Sequence, residues 1–599
     1  MRIAQIAKGF LGAGKIRKAS EEEGVGPATA AEPTPAGPLL VLDVGSVITR
    51  ASLLDRVDGR YRLLAIGAAP TAFRGQDDSI LEAVREAVGS VEQTVNRAIL
   101  GPKGTPQRAQ MGKGVEAVAA TASGLLRVAI VGLTESYSTE AAQRAVAGIN
   151  AVITASISLA TAGVSSPARL QSLCRQVQQS RPDVILIVGG SEQGASEPLL
   201  ALGQALAAAG RAQADTGIIL FGGNSDVAAR LSELLAPHYD VRPVANLRPS
   251  LEVEELEPTR EALRAIWRES LAARHPDLGI LSSWLASPLL STVEGLALTV
   301  SFLVSYEKAG ILCCDVGGSS TTLVAATGAS TRVYSEESWG LGPGALAVSL
   351  ALSQKRNAGA PAVQASLAEA ALNKWARPWI LPETPAEMRQ EIALAKAALS
   401  EAVERSGVRA AWGSGVSQRL LLGRGGALAH CPSPVLAALA LVDATGASGF
   451  FEVGLDSASL LPQLGALAAV YPQAAAEVAI TDGIERLGTW VRPCSAGSGS
   501  VPLLLEREGR PTEQHSLPAG SVTVLPLRSG ENAVLIVGPV PDVDFGAGRG
   551  RQLRVSARGG RLGLVVDLRD QKASQAQGDE WLNANARWLQ EPSLSLAMA

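Results

Sequence analysis

Leu39-Leu40-Val41-Leu42-Asp43-Val44-Gly45-Ser46 and Ile311-Leu312-Cys313-Cys314-Asp315-Val316-Gly317-Gly318-Ser319-Ser320 carry one pattern twice. In each, a short apolar run ends in an acid and a glycine turn, then continues into a second β-like run, Val47–Leu54 or Thr321–Ala325. An acid at the end of a buried strand can hold a hydrated Mg²⁺, and glycines let backbone N–H groups approach phosphate oxygens without Cβ interference. One copy would say little. Two copies predict related lobes that face a single nucleotide.

The chain has 599 residues, too many for one ordinary domain, and its 47% apolar and 18% charged content is that of a globular protein. About three or four packed units are expected. A formal charge of −4 and an aromatic content of 4% offer neither the basic face nor the stacking platforms of a nucleic-acid binder. Five cysteines (Cys174, Cys313, Cys314, Cys431 and Cys494) show no C-x-x-C spacing and read as small core residues in a reducing cytoplasm. Four histidines, among them His238, His275 and His430, form no zinc-like cluster.

The stretch 285–304 is the most membrane-like, yet Glu294 and several Ser and Thr residues interrupt it. Ser287-Pro288 reads as a helix start, Ser as N-cap and Pro at the first position, so a buried helix is expected. Residues 1–38 differ in kind. Ile3, Ile6, Ala7 and Phe10 share one helical face, Arg2, Lys8, Lys15, Arg17 and Lys18 add charge, and a Pro/Ala segment follows. Two readings stand open: a disordered basic tail, or a helix at residues 1–20 that touches a membrane surface or a partner.

The coarse pattern divides the remainder. Residues 39–125 form a first lobe with the phosphate-1 turn, its third strand near Tyr61–Gly67 and a helix near Ser79–Ala98. Residues 126–250 alternate strands (Leu126–Val131, Ala151–Ser156, Val184–Val188, Ile218–Phe221) with helices and read as an inserted α/β region. Residues 251–490 form a second lobe with the phosphate-2 turn and an adenosine turn at Gly413-Ser414-Gly415. Residues 491–599 show short β-like runs broken by Gly and Pro, a β-rich C-terminal domain; a last helix carries Trp581 and Trp588.

A triphosphate held from two sides needs a metal and convergent dipoles. Asp43 and Asp315 are the candidate catalytic acids and, through Mg²⁺-bound water, the metal ligands. Gly45, Ser46, Thr49, Gly317, Gly318, Ser319, Ser320 and Thr321 would donate to phosphates, and Gly413, Ser414 and Gly415 would lie against adenosine. ATP and Mg²⁺ are the implied cofactors. Two acids followed by a further glycine turn is the order required by the actin, sugar-kinase and heat-shock-chaperone superfamily. The expected fold class is therefore α/β: a two-lobed actin-like ATPase, with duplicated ribonuclease-H-like lobes, an inserted α/β region and a C-terminal β-rich domain.

Leu39–Asp55, Asp58-Gly59-Arg60-Tyr61-Arg62-Leu63, Ala68-Ala69-Pro70-Thr71, Val188-Gly189-Gly190, Gly222-Gly223-Asn224, Asn246-Leu247-Arg248-Pro249 and Cys314–Thr322 together resemble the glutamate mutase accessory family called MutL, over about residues 39–490. The mismatch-repair proteins of that name have another fold, which this chain does not resemble. The resemblance implies a cytoplasmic, ATP-binding chaperone or reactivating factor whose partner is an adenosylcobalamin-dependent mutase. It does not imply a mutase, since no cobalamin-binding Asp-x-His-x-x-Gly element is found. The departures bear on catalysis. Where the family's first turn runs Gly-Ser-Thr-Thr-Thr-Lys, this chain has Gly45-Ser46-Val47-Ile48-Thr49-Arg50; an acid seven residues after the second Asp is replaced by Thr322; and Gly-Gly-Thr-Asp-Gly-Gly becomes Gly189-Gly190-Ser191-Glu192-Gln193-Gly194. Binding is thus better supported than hydrolysis, and whether the chain is a weak ATPase stays open. Two alternatives remain. One is an actin-like scaffold tethered by its N-terminus; the other is a small-metabolite kinase with Asp315 as general base.

Overall fold

Six consecutive buried residues make the first strand, β1 (Leu39–Val44), and its neighbours follow from short-range turn chemistry. β2 (Ile48–Val57) folds back antiparallel to it, and β3 (Arg60–Pro70) folds back on β2 through Asp58-Gly59. Both of those turn residues have positive φ, +51° and +81°, the geometry that suits a two-residue hairpin loop. A helix, Ile80–Val95, then crosses over, burying Leu81, Val84, Val88 and Val91 at helical spacing. It delivers β4 (Glu116–Thr121) parallel to the other side of β1. The computed structural model describes residues 35, 37–71, 79–107, 114–163, 166–194, 196–209, 217–328, 330–337, 339–354, 361–408, 412, 419–494, 499–570 and 574–589. Residues 1–20, where one of the two open readings puts a membrane- or partner-touching helix, and Gly413, Ser414 and Gly415 lie outside them.

Residues Ala122–Ser283 form a compact unit of their own. Its strands β5 (Leu126–Gly132), β6 (Ala151–Ser158), β7 (Val184–Gly189), β8 (Gly217–Gly223) and β9 (Tyr239–Pro243) are all parallel and run in the order β6-β5-β7-β8-β9. That order is doubly wound, with helices on both faces. The helix Glu257–Arg274 belongs to this unit; its buried Trp267 donates through Nε1 to Gly124 O at 2.6 Å.

The chain next passes through β10 (Leu290–Ser291), which extends the first sheet to β3-β2-β1-β4-β10. Ser287-Pro288 does not start the following helix. The segment is held extended by pairing Leu285 with Ala117 and Ser291 with Thr121, so the helix begins later, at Thr292–Glu307, with Ser291 Oγ accepting from Glu294 N at 3.1 Å. Much of this helix is buried, and among the described residues no helix is long and apolar enough to cross a membrane.

The first lobe's pattern is repeated. β11 (Gly310–Val316), β12 (Ser320–Thr327) and β13 (Ser330–Glu337) form an antiparallel meander, and β14 (Arg419–Arg424) and β15 (Gly449–Leu455) add parallel strands on the far side of β11. β16 (Glu485–Arg492) continues the sheet antiparallel to β15. β17 (Ser500–Arg507) and β18 (Glu513–Pro518) leave it, β19 (Val522–Leu525) returns to it, β20 (Asn532–Val537) and β21 (Leu553–Arg558) leave again, and β22 (Gly563–Asp567) comes back between β16 and β19. The result is an eight-stranded sheet, β13-β12-β11-β14-β15-β16-β22-β19, facing a four-stranded one, β18-β17-β20-β21, across a shared core that includes Phe450, Val491, Leu503, Leu535 and Leu564. The last helix, Gly578–Leu589, places Trp581 in the core of the second lobe.

Two helices, Thr292–Glu307 and Leu461–Ala468, lie in a core cluster that takes residues from both lobes, Val41 and Leu54 from one and Cys313 and Leu422 from the other. The duplicated strand order, with three antiparallel strands followed by parallel additions, makes this the two-lobed α/β fold of actin-like ATPases, carrying an inserted α/β unit and a β-rich C-terminal part.

Candidate functional site

The two acid-ended strands are equivalent residue by residue. Asp43 lies opposite Arg50 in the β1–β2 hairpin, and Asp315 lies opposite Thr322 in the β11–β12 hairpin. Each turn is closed by a backbone bond, Gly45 N to Ile48 O at 3.2 Å and Gly317 N to Ser320 O at 2.9 Å. A Cβ on Gly45 would stand 2.5 Å from Ile48 O, so this tight turn needs glycine. The N–H groups of Gly45 and Gly317 thus serve their own turns here.

The structure brings the two turns together. A Cβ on Gly318 would meet Val47 Cγ2 at 2.2 Å and Ser46 Oγ at 3.0 Å, so phosphate-1 and phosphate-2 residues are in contact. The segment Gly340-Leu341-Gly342 docks on the second turn from above, Leu341 N donating to Gly317 O at 2.9 Å and Gly342 N to Gly318 O at 2.7 Å. The hydroxyls divide. Thr49 is buried and paired with Thr71 Oγ1 at 2.9 Å, and Thr321 is buried and donates to Trp339 O at 2.6 Å, so both act within the fold. Ser46, Ser319 and Ser320 are half-buried beside the turns.

Between the acids sits a residue that the sequence reading missed. β14 is in register with β11 so that Arg424 stands beside Asp315, and β15 is in register so that Asp456, just past its end, stands beside Arg424. Neighbouring strands are about 4.8 Å apart, so register alone gathers these side chains. The Arg424 guanidinium donates through Nη2 to Asp43 Oδ2 at 2.8 Å, through Nη1 to Asp315 Oδ2 at 2.5 Å, and through Nε to Asp456 Oδ2 at 3.1 Å. Asp456 also accepts from Leu460 N at 2.8 Å and Leu461 N at 3.2 Å. All four side chains are buried. Asp43 Oδ1 and Asp315 Oδ1 are buried with no hydrogen-bond partner among the described residues.

Burial dominates the electrostatics. It raises the Asp43 carboxyl above its ordinary range although Arg424 and Arg50 pull the other way, and it pushes Asp456 up to about 6 against Arg424. Burial alone would lower Arg424, but Asp315, Asp43 and Asp456 together hold it well above its usual value. Burial also lowers Arg50, whose Nη2 lies 3.4 Å from His430 Nε2, and burial together with Arg50 lowers His430. Arginine cannot shed its proton, so the cleft contains a permanent cation.

The expected Mg²⁺ meets this cation. Each of the two acids chosen for water-mediated metal binding already gives its Oδ2 to Arg424, and among the described residues no group of three His, Cys, Asp or Glu side chains is arranged to hold a metal ion. As arranged, the cleft does not fit a resident divalent metal.

The adenosine turn expected at Gly413-Ser414-Gly415 lies outside the described residues. The described glycine turn of that region is Arg424-Gly425-Gly426, where Gly425 has φ +102° and a Cβ would fall 2.0 Å from Val316 O. Its signal was present in the sequence as an apolar run, Leu420-Leu421-Leu422, followed by Gly423-Arg424-Gly425-Gly426. Asp456 had a weaker signal, since its strand ends in an acid without a glycine turn. Gly340-Leu341-Gly342-Pro343-Gly344, directly before the helix Ala345–Gln354, also carried a legible turn signal.

A family model described as MutL protein matches residues 39–482. No curated protein matches the chain. Similar solved structures include the nucleotide-free acetone carboxylase (9% identity, 80% of this chain and 81% of that one, TM-score 0.34) and a ROK family glucokinase from Streptomyces griseus in complex with glucose and AMPPNP (11%, 72% and 98%, TM-score 0.28). The PilM-PilN type IV pilus biogenesis complex is another (13%, 74% and 97%, TM-score 0.21). These likenesses are slight, and the two-lobed assignment rests on strand order.

Proposed function

The chain belongs to the MutL family, the glutamate mutase accessory proteins and not the mismatch-repair proteins of that name, and on that premise we propose that it is an ATP-binding accessory protein acting on a protein partner. The nucleotide lies between the turns at Gly45-Ser46 and Gly317–Ser320, and its binding biases closure of the two lobes. The partner, by family, is the subunit assembly of an adenosylcobalamin-dependent mutase, which lobe movement remodels. Differential affinity of the open and closed lobes for nucleotide is the energy source for that work. The observation that supports this reading is the meeting of Asp43 and Asp315, from equivalent hairpins of two lobes, at one guanidinium.

The kinase alternative needs Asp315 to take a proton from a substrate hydroxyl. Asp315 Oδ2 is instead engaged by Arg424 Nη1 at 2.5 Å, an arrangement that favours the accessory reading.

Calorimetric titration of the full chain with ATP and ADP tests the site, using Ser46→Glu and Ser320→Glu to set a negative charge in each half-buried turn. Loss of binding by tenfold or more in both variants, with an unchanged circular dichroism spectrum, is expected. Unchanged binding in both would overturn the placement. Gel-filtration co-elution with mutase subunits, with and without ATP, tests the partner; identical elution with and without nucleotide would overturn the coupling.

A further inference from the structure

We propose that the Arg424 guanidinium is the resident cation of the cleft, standing where a nucleotide-bound divalent metal would stand, so that the site excludes the metal and takes its nucleotide without one. The second half rests on the reading that the cleft binds a nucleotide; the first half does not.

The three acids already share one cation, although Oδ1 of Asp43 and Oδ1 of Asp315 are left without a partner among the described residues. Asp43, Asp315 and Asp456 come from three strand ends in two lobes, and each directs one oxygen to a different N–H of the same side chain. A divalent metal needs carboxylate oxygens, directly or through water, at short distances and in near-octahedral array. To reach the Oδ2 atoms of Asp43 and Asp315, rather than their unpartnered Oδ1 atoms, it would have to displace a guanidinium that strand register places in line with Asp315. It would also have to lie beside a charge that cannot be neutralised by deprotonation.

The arginine is equipped for the substitute role. A guanidinium has five N–H donors in a planar fork, and the acids engage three nitrogens with one bond each. Nη1 and Nη2 each retain a second N–H that can meet a phosphate oxygen, the bidentate geometry for which arginine is favoured. Arg50, which replaces the first turn's expected Lys, adds a second guanidinium whose charge acts on Asp43. Set among three carboxylates, the two guanidiniums offer a phosphate fixed N–H donors rather than the surplus positive charge that a metal would bring. That arrangement suits binding and lobe closure better than hydrolysis.

The test uses the full chain and Mn²⁺, read by electron paramagnetic resonance without nucleotide. Wild type is expected to show no tight Mn²⁺ site, and Arg424→Gln is expected to gain one that Mg²⁺ competes away. Arg424→Lys, which keeps a cation, is expected to stay without it. A tight Mn²⁺ site in wild type that Asp43→Asn removes would overturn the proposal. Because Arg424→Gln exposes three buried acids to one another and can fail to fold, wild type alone supplies a second measurement. Its ATP affinity in EDTA is expected to lie within threefold of that in Mg²⁺, and a loss of tenfold or more in EDTA would overturn metal-free binding. Absence of ATP binding in both buffers would overturn the nucleotide reading and the metal-free half with it; the Mn²⁺ titration of wild type would still decide, for or against, whether Arg424 excludes the metal.

Discussion

Gly465 sits on the backbone of Gly295: a Cβ on Gly465 would fall 2.1 Å from Gly295 O, and one on Gly295 would fall 2.1 Å from Pro462 O. The helices Thr292–Glu307 and Leu461–Ala468 therefore meet main chain to main chain within the core that both lobes share, and Thr299 Oγ1 adds a bond to Leu461 O at 2.7 Å.

Gly465→Ala has no flexible side chain to push aside and must part the helices. It is expected to cost about 3 kcal/mol, at the upper end of overpacking effects, read as a lower urea midpoint. Gly89→Ala, in a helix with nothing within 4 Å of the new methyl, is the control and is expected to stabilise by about 0.5–1 kcal/mol. Equal effects at the two positions would contradict the close crossing.

Between the two turns the Val47 side chain packs directly on Gly318. Gly318→Ala is expected to cost about 1–3 kcal/mol, and adding Val47→Ala is expected to return about 1 kcal/mol of it, since contacting sites are non-additive. Strict additivity in the double-mutant cycle would show that the turns do not touch.

Asp456 titrates from an ordinary 3.8 to about 6 in the fold. The folded state therefore holds a proton that the unfolded chain has released, and this contribution is full below about pH 3.8 and lost as the pH rises through about 6. Other carboxylates, such as Asp482 and Glu192, are shifted downward and act in the opposite sense, so the readout is a difference. Between pH 4.5 and 6.5, wild type is expected to lose stability relative to Asp456→Asn, by up to about 1.4 kcal/mol per pH unit. Parallel pH profiles in denaturation experiments would remove the assignment.

Asp443 anchors a second buried network. Its Oδ1 accepts from Arg492 Nη1 at 3.1 Å and Arg569 Nη2 at 2.9 Å, and its Oδ2 from Arg569 Nη1 at 2.9 Å and Trp581 Nε1 at 2.8 Å. Asp443→Ala leaves Arg492 and Arg569 with Asp567 as their one remaining buried carboxylate among the described residues and is expected to cost about 3 kcal/mol, the lower end for breaking a buried ion pair. Limited proteolysis should then release the helix Gly578–Leu589 early; an unchanged digestion pattern would argue against that anchoring.

The paired turns were legible because their information is local: an apolar run, an acid and a glycine within eight residues, each followed by a strand. The Asp58-Gly59 hairpin and the parallel strands of the inserted unit were legible for the same reason. What could not be read was the pairing of distant strands. Arg424 meets Asp43 and Asp315 only because β14 lies beside β11 in one register, and a one-residue slip would turn its side chain to the other face. Ser287-Pro288 failed as a helix start for a related reason, since pairing to β4 outweighed a local capping preference.

The strands after residue 491 read in sequence as a domain of their own, yet β22 pairs with β16 and β19 with β22, so both belong to the second lobe's own sheet. A ladder of backbone bonds resists shear, so that lobe and the four-stranded sheet that shares its core are tied into one body, and a load on either sheet is borne by both.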